Sequence, residues 1–280
     1  LSSTPPFQNA MAMDANRCGI PVVYGFCRGV GSVSYAAAVL LLGFVLERHA
    51  PTLLLPVFAA LTACGLLAMS GFRLPERPDE AADRPAEHRS IAAVLRSHPR
   101  FALTLLGCMF FFLTHTISNT YMNALVGKAG GTASAVGTSL AISAVLELPA
   151  MTLVSRLQKR FSPGFFLRFA AGAEVVKFLI FYLARSMPLI YLGHCMQFFQ
   201  FAVYAPATVY YVAAALPERD QLKGQSLIYV AGSGLGGALG NLLGGRLLDR
   251  SGIQAALLLG TVSAAASLLT FCLSTREDSR

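Results

Sequence analysis

Four ionisable residues stand inside otherwise apolar stretches of this chain: Arg28, Glu147, Glu174 and Lys177. On insertion scales an isolated charge at the centre of a membrane helix costs at least about 2.5–3.5 kcal/mol, so each needs a reason to be there. Glu147 falls near the middle of an apolar run at 133–156. Glu174 and Lys177, spaced i, i+3, share one face of the next run. A buried carboxyl beside a buried ammonium is a pair that can gain and lose a proton. Glu147 would then carry the proton, and Lys177 would tune it and bind an anionic or hydroxylated solute. The same residues could instead make a fixed interhelical ion pair, or a Glu174–Lys177 pair that only neutralises itself. Arg28 lies nearer the end of its run and could snorkel to the interface.

Uncharged polar side chains form two further stripes. Thr104, His115, Asn119 and Asn123 fall on one face of a helix expected at 101–126. Gln197, Gln200, Tyr204, Thr208 and Tyr211 do the same on one expected at 188–215. Such stripes suit the wall of a water-filled path, or ordinary hydrogen bonding between helices. His115 and His194 read as structural rather than proton-carrying. No metal-spaced His/Asp set and no G-x-S-x-G elbow is present, so an enzyme is not expected, and neither a metal nor a cofactor. The six cysteines are scattered, mostly within apolar runs, and behave as small hydrophobes.

The elements that must hold these residues are membrane helices. The chain is 55% hydrophobic and 13% charged, about half the charge of a soluble domain. Uncharged runs cover 29–46, 50–72, 101–127, 186–217, 224–245 and 251–275, each near or above the roughly 20 residues that cross a bilayer. The pattern predicts an all-α polytopic bundle of about eight full transmembrane helices at 22–46, 51–71, 101–126, 133–156, 163–185, 188–215, 222–247 and 252–274. Residues 1–13 read as the end of a further helix. Ser90 to Ser97 reads as a short amphipathic helix inside a polar linker at 72–100.

The net charge of +8 is confined to loops, which argues for membrane orientation and against nucleic acid. With the linker placed in the cytoplasm, fifteen Lys and Arg lie on that side. Five lie outside: Arg48, Lys128, Arg185, Arg246 and Arg250. The lipid bilayer is therefore an expected partner.

Gly232, Gly236, Gly240 and Gly244 recur every fourth residue. Small residues at that spacing let another helix approach closely in lipid. Gly232 to Gly237 also satisfies G-x-G-x-x-G, but without the strand, crossover helix and later acid of a dinucleotide site. There is an internal repeat as well. Gly43 to Ala50 echoes Gly245 to Gly252, each after a Gly-Ser pair at 31–32 and 232–233, as two parallel transporter halves would leave behind.

At this point the chain resembles the major facilitator superfamily, and most nearly its proton-symporter branch with lactose, phenylpropionate and nucleoside permeases. Tyr24 to Ser32 is similar to the G-R-x-R-x-x-G-S opening of helix 5, with Arg28 at the second Arg and Phe26 replacing the first. Glu147-Leu-Pro149 resembles an acid carried in helix 8, and Val175-Val176-Lys177 the V-V-R of helix 9. Lys223-Gly224-Gln225-Ser226-Leu227 looks like the opening of helix 11. The loop at 155–162 lacks the glycines and Asp of the family's G-x-L-x-D-R-x-G signature, and the helix 10 His-x-x-Glu pair is not recognisable. The resemblance implies residues 1–71 as the remnant of an N-terminal six-helix half, 72–100 as a cytoplasmic linker, and 101–280 as the C-terminal half. It also implies proton-coupled symport of a small polar or anionic solute by alternating access. The further partners it implies are a small-molecule solute and protons, with the chain acting as a monomer in the cell membrane. The alternatives are proton-antiport efflux and an inactive fragment.

Overall fold

The computed structural model describes residues 24–71, 90–158 and 160–275. The expectations for residues 1–13 and for most of the 72–100 linker lie outside them. Among the described residues the chain is helical throughout. Helix α1 spans Tyr24–Leu46, and a 3-10 turn at Pro51–Leu53 leads into α2, Leu54–Ser70. A short helix α3, Ile91–Ser97, starts where the Ser90 hydroxyl accepts the Ala93 amide, an N-cap. Then follow α4 (Pro99–Thr120), α5 (Met122–Lys128), α6 (Ala133–Leu157) and α7 (Pro163–Leu183). Helix α8 (Met187–Cys195) passes through a 3-10 turn, Met196–Phe198, into α9 (Phe201–Ala215). Helix α10 (Glu218–Tyr229) joins α11 (Gly237–Ser251) through a π-helical stretch, Val230–Gly236, and α12 (Ile253–Ser274) closes the chain.

Five of these paths are long and apolar enough to cross a bilayer: 99–120, 133–154, 187–215, 219–251 and 253–274. Helices α1 and α2 are shorter apolar helices over their described lengths. Helix α7 has the length, 21 residues, but carries Arg168, Glu174 and Lys177. Its first half is tied down where Arg168 donates to the Thr275 carbonyl and hydroxyl just past α12, a cation at a helix C-terminus.

Three expected helices differ in detail. The path at 101–126 stops at Tyr121, which leaves helical geometry at φ −102°, ψ 20°. Its hydroxyl donates to the Asn241 carbonyl and its ring lies on Gly244, so a tertiary contact takes over from the helix. The path at 188–215 is interrupted between Met196 and Gln200. The one at 222–247 widens to a π-helix where glycine is densest, because glycine tolerates the wider turn at little steric cost.

Packing follows the absence of side chains as much as their presence. Helix α4 runs along the face of the π stretch and α11. Cβ atoms built on Gly232, Gly236, Gly240 and Gly244 would meet Phe112, the Met109 carbonyl, the Leu113 carbonyl and Tyr121. Helices α1 and α6 cross in the same way: a Cβ on Gly137 would stand 2.6 Å from the Val39 carbonyl, and one on Gly43 3.3 Å from the Gly137 Cα. Backbones this close gain dispersion contacts, the main cohesive term between helices in lipid. Two clusters of large side chains complete the bundle, one around Phe101, Phe111, Leu167, Tyr204 and Phe271 and the other around Ile117, Phe178, Phe181 and Ile190.

Candidate functional site

Glu147 sits in the second half of α6, two residues before Pro149. Proline has no amide hydrogen, so the Val145 carbonyl loses its helical partner there. The Glu147 carboxylate is reached from two sides. Ser32 Oγ on α1 donates to Oε2 at 2.5 Å, and Gln197 Nε2 donates to Oε1 at 3.1 Å. The same Gln197 accepts a bond from Lys177 Nζ at 3.1 Å through Oε1. One amide therefore joins the carboxylate of α6 to the ammonium of α7. The interruption between α8 and α9 makes this possible, since Gln197 stands in the 3-10 turn there.

The chain Ser32–Glu147–Gln197–Lys177 crosses four elements, and its inner end is dry. Lys177 is 2% exposed and Gln197 5%. Lys177 also lies 5.7 Å from the centroid of the Phe181 ring, a cation over an aromatic face. Glu174, one turn earlier on α7, is fully buried, and neither carboxylate oxygen has a hydrogen-bond partner. The shared face places Glu174 and Lys177 together, yet the ammonium is bonded to Gln197.

The remaining sequence candidates divide. The His115 ring stacks on Phe201 at 4.4 Å, its Nε2 is 3.1 Å from Asn119 Nδ2, and its Nδ1 is buried without a partner. Asn119 and Asn123 are exposed, and Asn123 belongs to α5, past the break at Tyr121. Tyr204 stacks flat on Phe111 at 3.9 Å, and Thr104 donates to the Tyr211 hydroxyl at 3.0 Å. Gln200 is fully buried, and neither side-chain polar atom has a partner. Arg28 lies in the first half of α1, and its side chain is outside the described residues. His194 bonds Ser143 Oγ through Nδ1 at 2.7 Å and approaches Met122 Sδ at 3.4 Å, which ties α8 to α6 and α5.

A small cleft of about 50 Å³ opens beside the aromatic cluster. Phe112, Phe201 and Tyr204 give it flat apolar walls, while Thr208, Gln225 and Tyr229 line its polar side. Sequence reasoning did not single out Ser32, Phe201, Gln225 or Tyr229 as lining or contact residues. Ser32 and Gln225 sit within motifs that carry the family resemblance, so a signal existed for both. Phe201 and Tyr229 had none, being two among 28 Phe and Tyr residues. Among the described residues no three His, Cys, Asp or Glu side chains cluster as metal ligands would.

Comparison with known proteins gives matches along most of the chain. The family model described as the MFS_1 like family covers residues 19–259. The maltose permease of Geobacillus stearothermophilus is 28% identical over 257 residues, covering 91% of this chain and 64% of that protein. The uncharacterized transporter YwbF of Bacillus subtilis (strain 168) is 23% identical over 258 residues, covering 92% of this chain and 64% of that protein. The chain thus spans a little under two thirds of the length of either relative. Among solved structures, the crystal structure of the major facilitator superfamily transporter FucP in the outward conformation aligns with a TM-score of 0.54. That alignment has 17% identity and covers 82% of this chain and 59% of the other, a likeness of fold.

Proposed function

This chain belongs to the MFS_1-like family of major facilitator transporters, and from that premise we propose that it moves a small polar or anionic solute across a membrane in symport with protons. The observation that carries the reading is the Glu147 carboxylate, held at once by Ser32 of α1 and by the Gln197–Lys177 pair of the later helices. In this reading α1 and α2 are the remainder of an N-terminal half, the 72–100 segment is the cytoplasmic linker, and α4 to α12 form the C-terminal half. Ser32–Glu147 is then a hydrogen bond between halves, close to where they must part as they rock.

Proton uptake would act directly on that contact. An ionised Glu147 is an acceptor only, suited to the two donors it faces. A neutral carboxyl keeps weaker acceptor capacity and brings a hydrogen of its own. Losing one charge-assisted bond of about 2 kcal/mol shifts the equilibrium between closed and parted halves roughly thirtyfold. Lys177, released in part from Gln197, would then be free to meet an anionic or hydroxyl group of the solute. The cleft walls of Phe112, Phe201 and Tyr204 suit the apolar face of the same molecule.

The test uses the full-length protein in proteoliposomes, with labelled maltose as the first probe because a relative carries that name, followed by small carboxylates. An inward proton gradient should drive accumulation, and Glu147→Gln should abolish it while leaving solute exchange at equal concentrations. Gradient-driven accumulation by Glu147→Gln at the native rate would overturn the proton role.

A further inference from the structure

We propose that Glu174 and Gln200 form a second proton-binding site, in which Glu174 carries the proton in the conformation seen here and Gln200 takes up its carboxylate when the proton leaves. The proposal deepens the proton-coupled reading and rests on it for its role in transport, but its structural basis is separate from the Glu147 chain.

Both side chains are fully buried, and all four of their side-chain polar atoms lack a hydrogen-bond partner. Buried polar groups are rarely left in this state. Two of them also lie at one level of the bundle. Helix α7 and the α8–α9 path are antiparallel, and the Lys177–Gln197 bond fixes their register. Glu174 lies three residues from that bond along α7, about 4.5 Å of helix rise, and Gln200 lies three residues from it in the same direction along the antiparallel path. Gln200 is the residue at which the path re-enters a helix, at φ −100°, ψ −93°. Its backbone amide is held by Met196 and its carbonyl by Val203 and Tyr204. The side chain is thus left as the group without a bond.

Charge balance assigns the proton. Among the described residues the charged groups around Lys177 are two carboxyls, Glu147 and Glu174; the other buried carboxyl, Asp220, stands at the start of α10 beside Arg219. Glu147 accepts two hydrogen bonds, as an ionised carboxylate requires, whereas Glu174 accepts none. An ionised carboxylate without donors in an apolar interior is prohibitively unstable, while a neutral carboxyl is tolerated. Among the described residues, the elements that pack most closely against α7 offer no other charge. Their titratable groups are Cys272 on α12, Tyr204, Tyr210 and Tyr211 on α9, and Tyr191, His194 and Cys195 on α8. None of these bonds Glu174, and the neighbouring charge on its own helix is Lys177. The step is a plain proton transfer. The Glu174 O–H bond breaks, its electron pair stays on the carboxylate, the proton passes to water, and the Gln200 amide then donates to the new anion.

Infrared difference spectroscopy of the full-length protein in lipid, without solute, tests this. A protonated carboxyl band is expected at neutral pH, shifted down in heavy water, lost in Glu174→Gln and kept in Glu147→Gln. Gln200→Leu should hold the band to higher pH, because the ionised form loses its donor. Should Glu174→Gln fail to fold, the contrast between Glu147→Gln and Gln200→Leu decides alone. Absence of the band in the native protein, or its removal by Glu147→Gln, overturns the proposal. So does its disappearance when choline chloride is exchanged for sodium chloride at fixed pH, which would make this an alkali-cation site. A band present without proton-driven uptake leaves the site standing and removes the coupling reading; uptake without the band does the reverse.

Discussion

Lys177 and Glu147 are joined through an intervening amide and make no direct ion pair. Nζ of the lysine lies 3.1 Å from one end of Gln197, and Oε1 of the glutamate 3.1 Å from the other. A direct pair in a dry interior would be tightly bound and slow to part, because each partner would be abandoned as a bare charge. An amide between them passes the polarity of one charge to the other and lets either partner leave with a neutral group still in place. This arrangement suits a site whose charges must change partners during a cycle.

Gln197 should therefore tolerate little. Gln197→Leu removes the acceptor of a buried ammonium and a donor to a carboxylate, each worth about 1.5–3 kcal/mol. The expected result is a clear drop in melting temperature in lipid nanodiscs together with loss of coupled uptake. Gln197→Glu keeps the shape and gives Lys177 a stronger partner, but sets a like charge against Glu147. It should melt near the native temperature and still fail to couple. Equal melting of Gln197→Leu and the native protein would contradict the bridging role.

The glycine run offers a contrast within a few residues. A Cβ on Gly236 would collide with the Met109 carbonyl, and one on Gly240 would stand 2.6 Å from the Leu113 carbonyl. A Cβ on Gly234 would meet nothing nearer than 3.7 Å. Gly236→Ala should destabilise by about 1–3 kcal/mol through overpacking against backbone that cannot move aside. Gly234→Ala should be neutral within error. The larger Gly236→Leu should reach the membrane and lose transport before it loses insertion. Thermal melting and surface quantification separate these outcomes, and equal melting of the two alanine variants would refute the close contact.

How much of this could be seen in the sequence follows from the physics of each feature. The five paths long and apolar enough to cross a bilayer are legible because lipid excludes charge, so charge clusters mark their ends; the pattern predicts α6 at 133–156, and it spans Ala133–Leu157. The breaks are not. No glycine or proline marks the turn at 196–200, and Tyr121 leaves its helix for a contact with Asn241 that lies 120 residues away. Glu147 and Lys177 stand out because a charge in an apolar run is rare. Ser32 as the partner of Glu147 does not, since which helices meet in lipid depends on shape more than on hydrophobic period. Asn123 shows the limit of a stripe: it continues the Thr104–Asn119 face only if the helix runs unbroken.

Ser32→Ala isolates the contact between α1 and α6. The variant deletes one hydroxyl donor to Glu147 and leaves the backbone crossing at Gly43 and Gly137 intact. The expected effect is a shift of about 1.5–3 kcal/mol toward the parted arrangement, without loss of fold. Spin labels near residues 30 and 145, read by electron-electron distance, should show a larger population at long separation. An unchanged distribution would mean that the glycine crossing alone holds these helices.

Acid should loosen the same pair at its outer end. Glu47, in the turn after α1, accepts the Ser134 backbone amide at the start of α6 at 3.3 Å. Bonding from Ser134 first and Thr132 next holds its carboxyl below the usual glutamate range. The sign follows from that direction. A carboxyl with a lowered value in the packed state contributes its stabilisation above its free value and loses it as pH falls through the lowered one. The closed outer contact should be intact at neutral pH and weaken in acid, below the range of a free glutamate. Glu47→Gln should remove that pH response, because the amide still offers an oxygen to the helix end but no charge to its dipole. The measurement is the distance distribution between labels at 49 and 131 across a pH series. A native profile that is flat in acid, or a Glu47→Gln profile as steep as the native one, would show that this carboxylate does not hold the outer ends together.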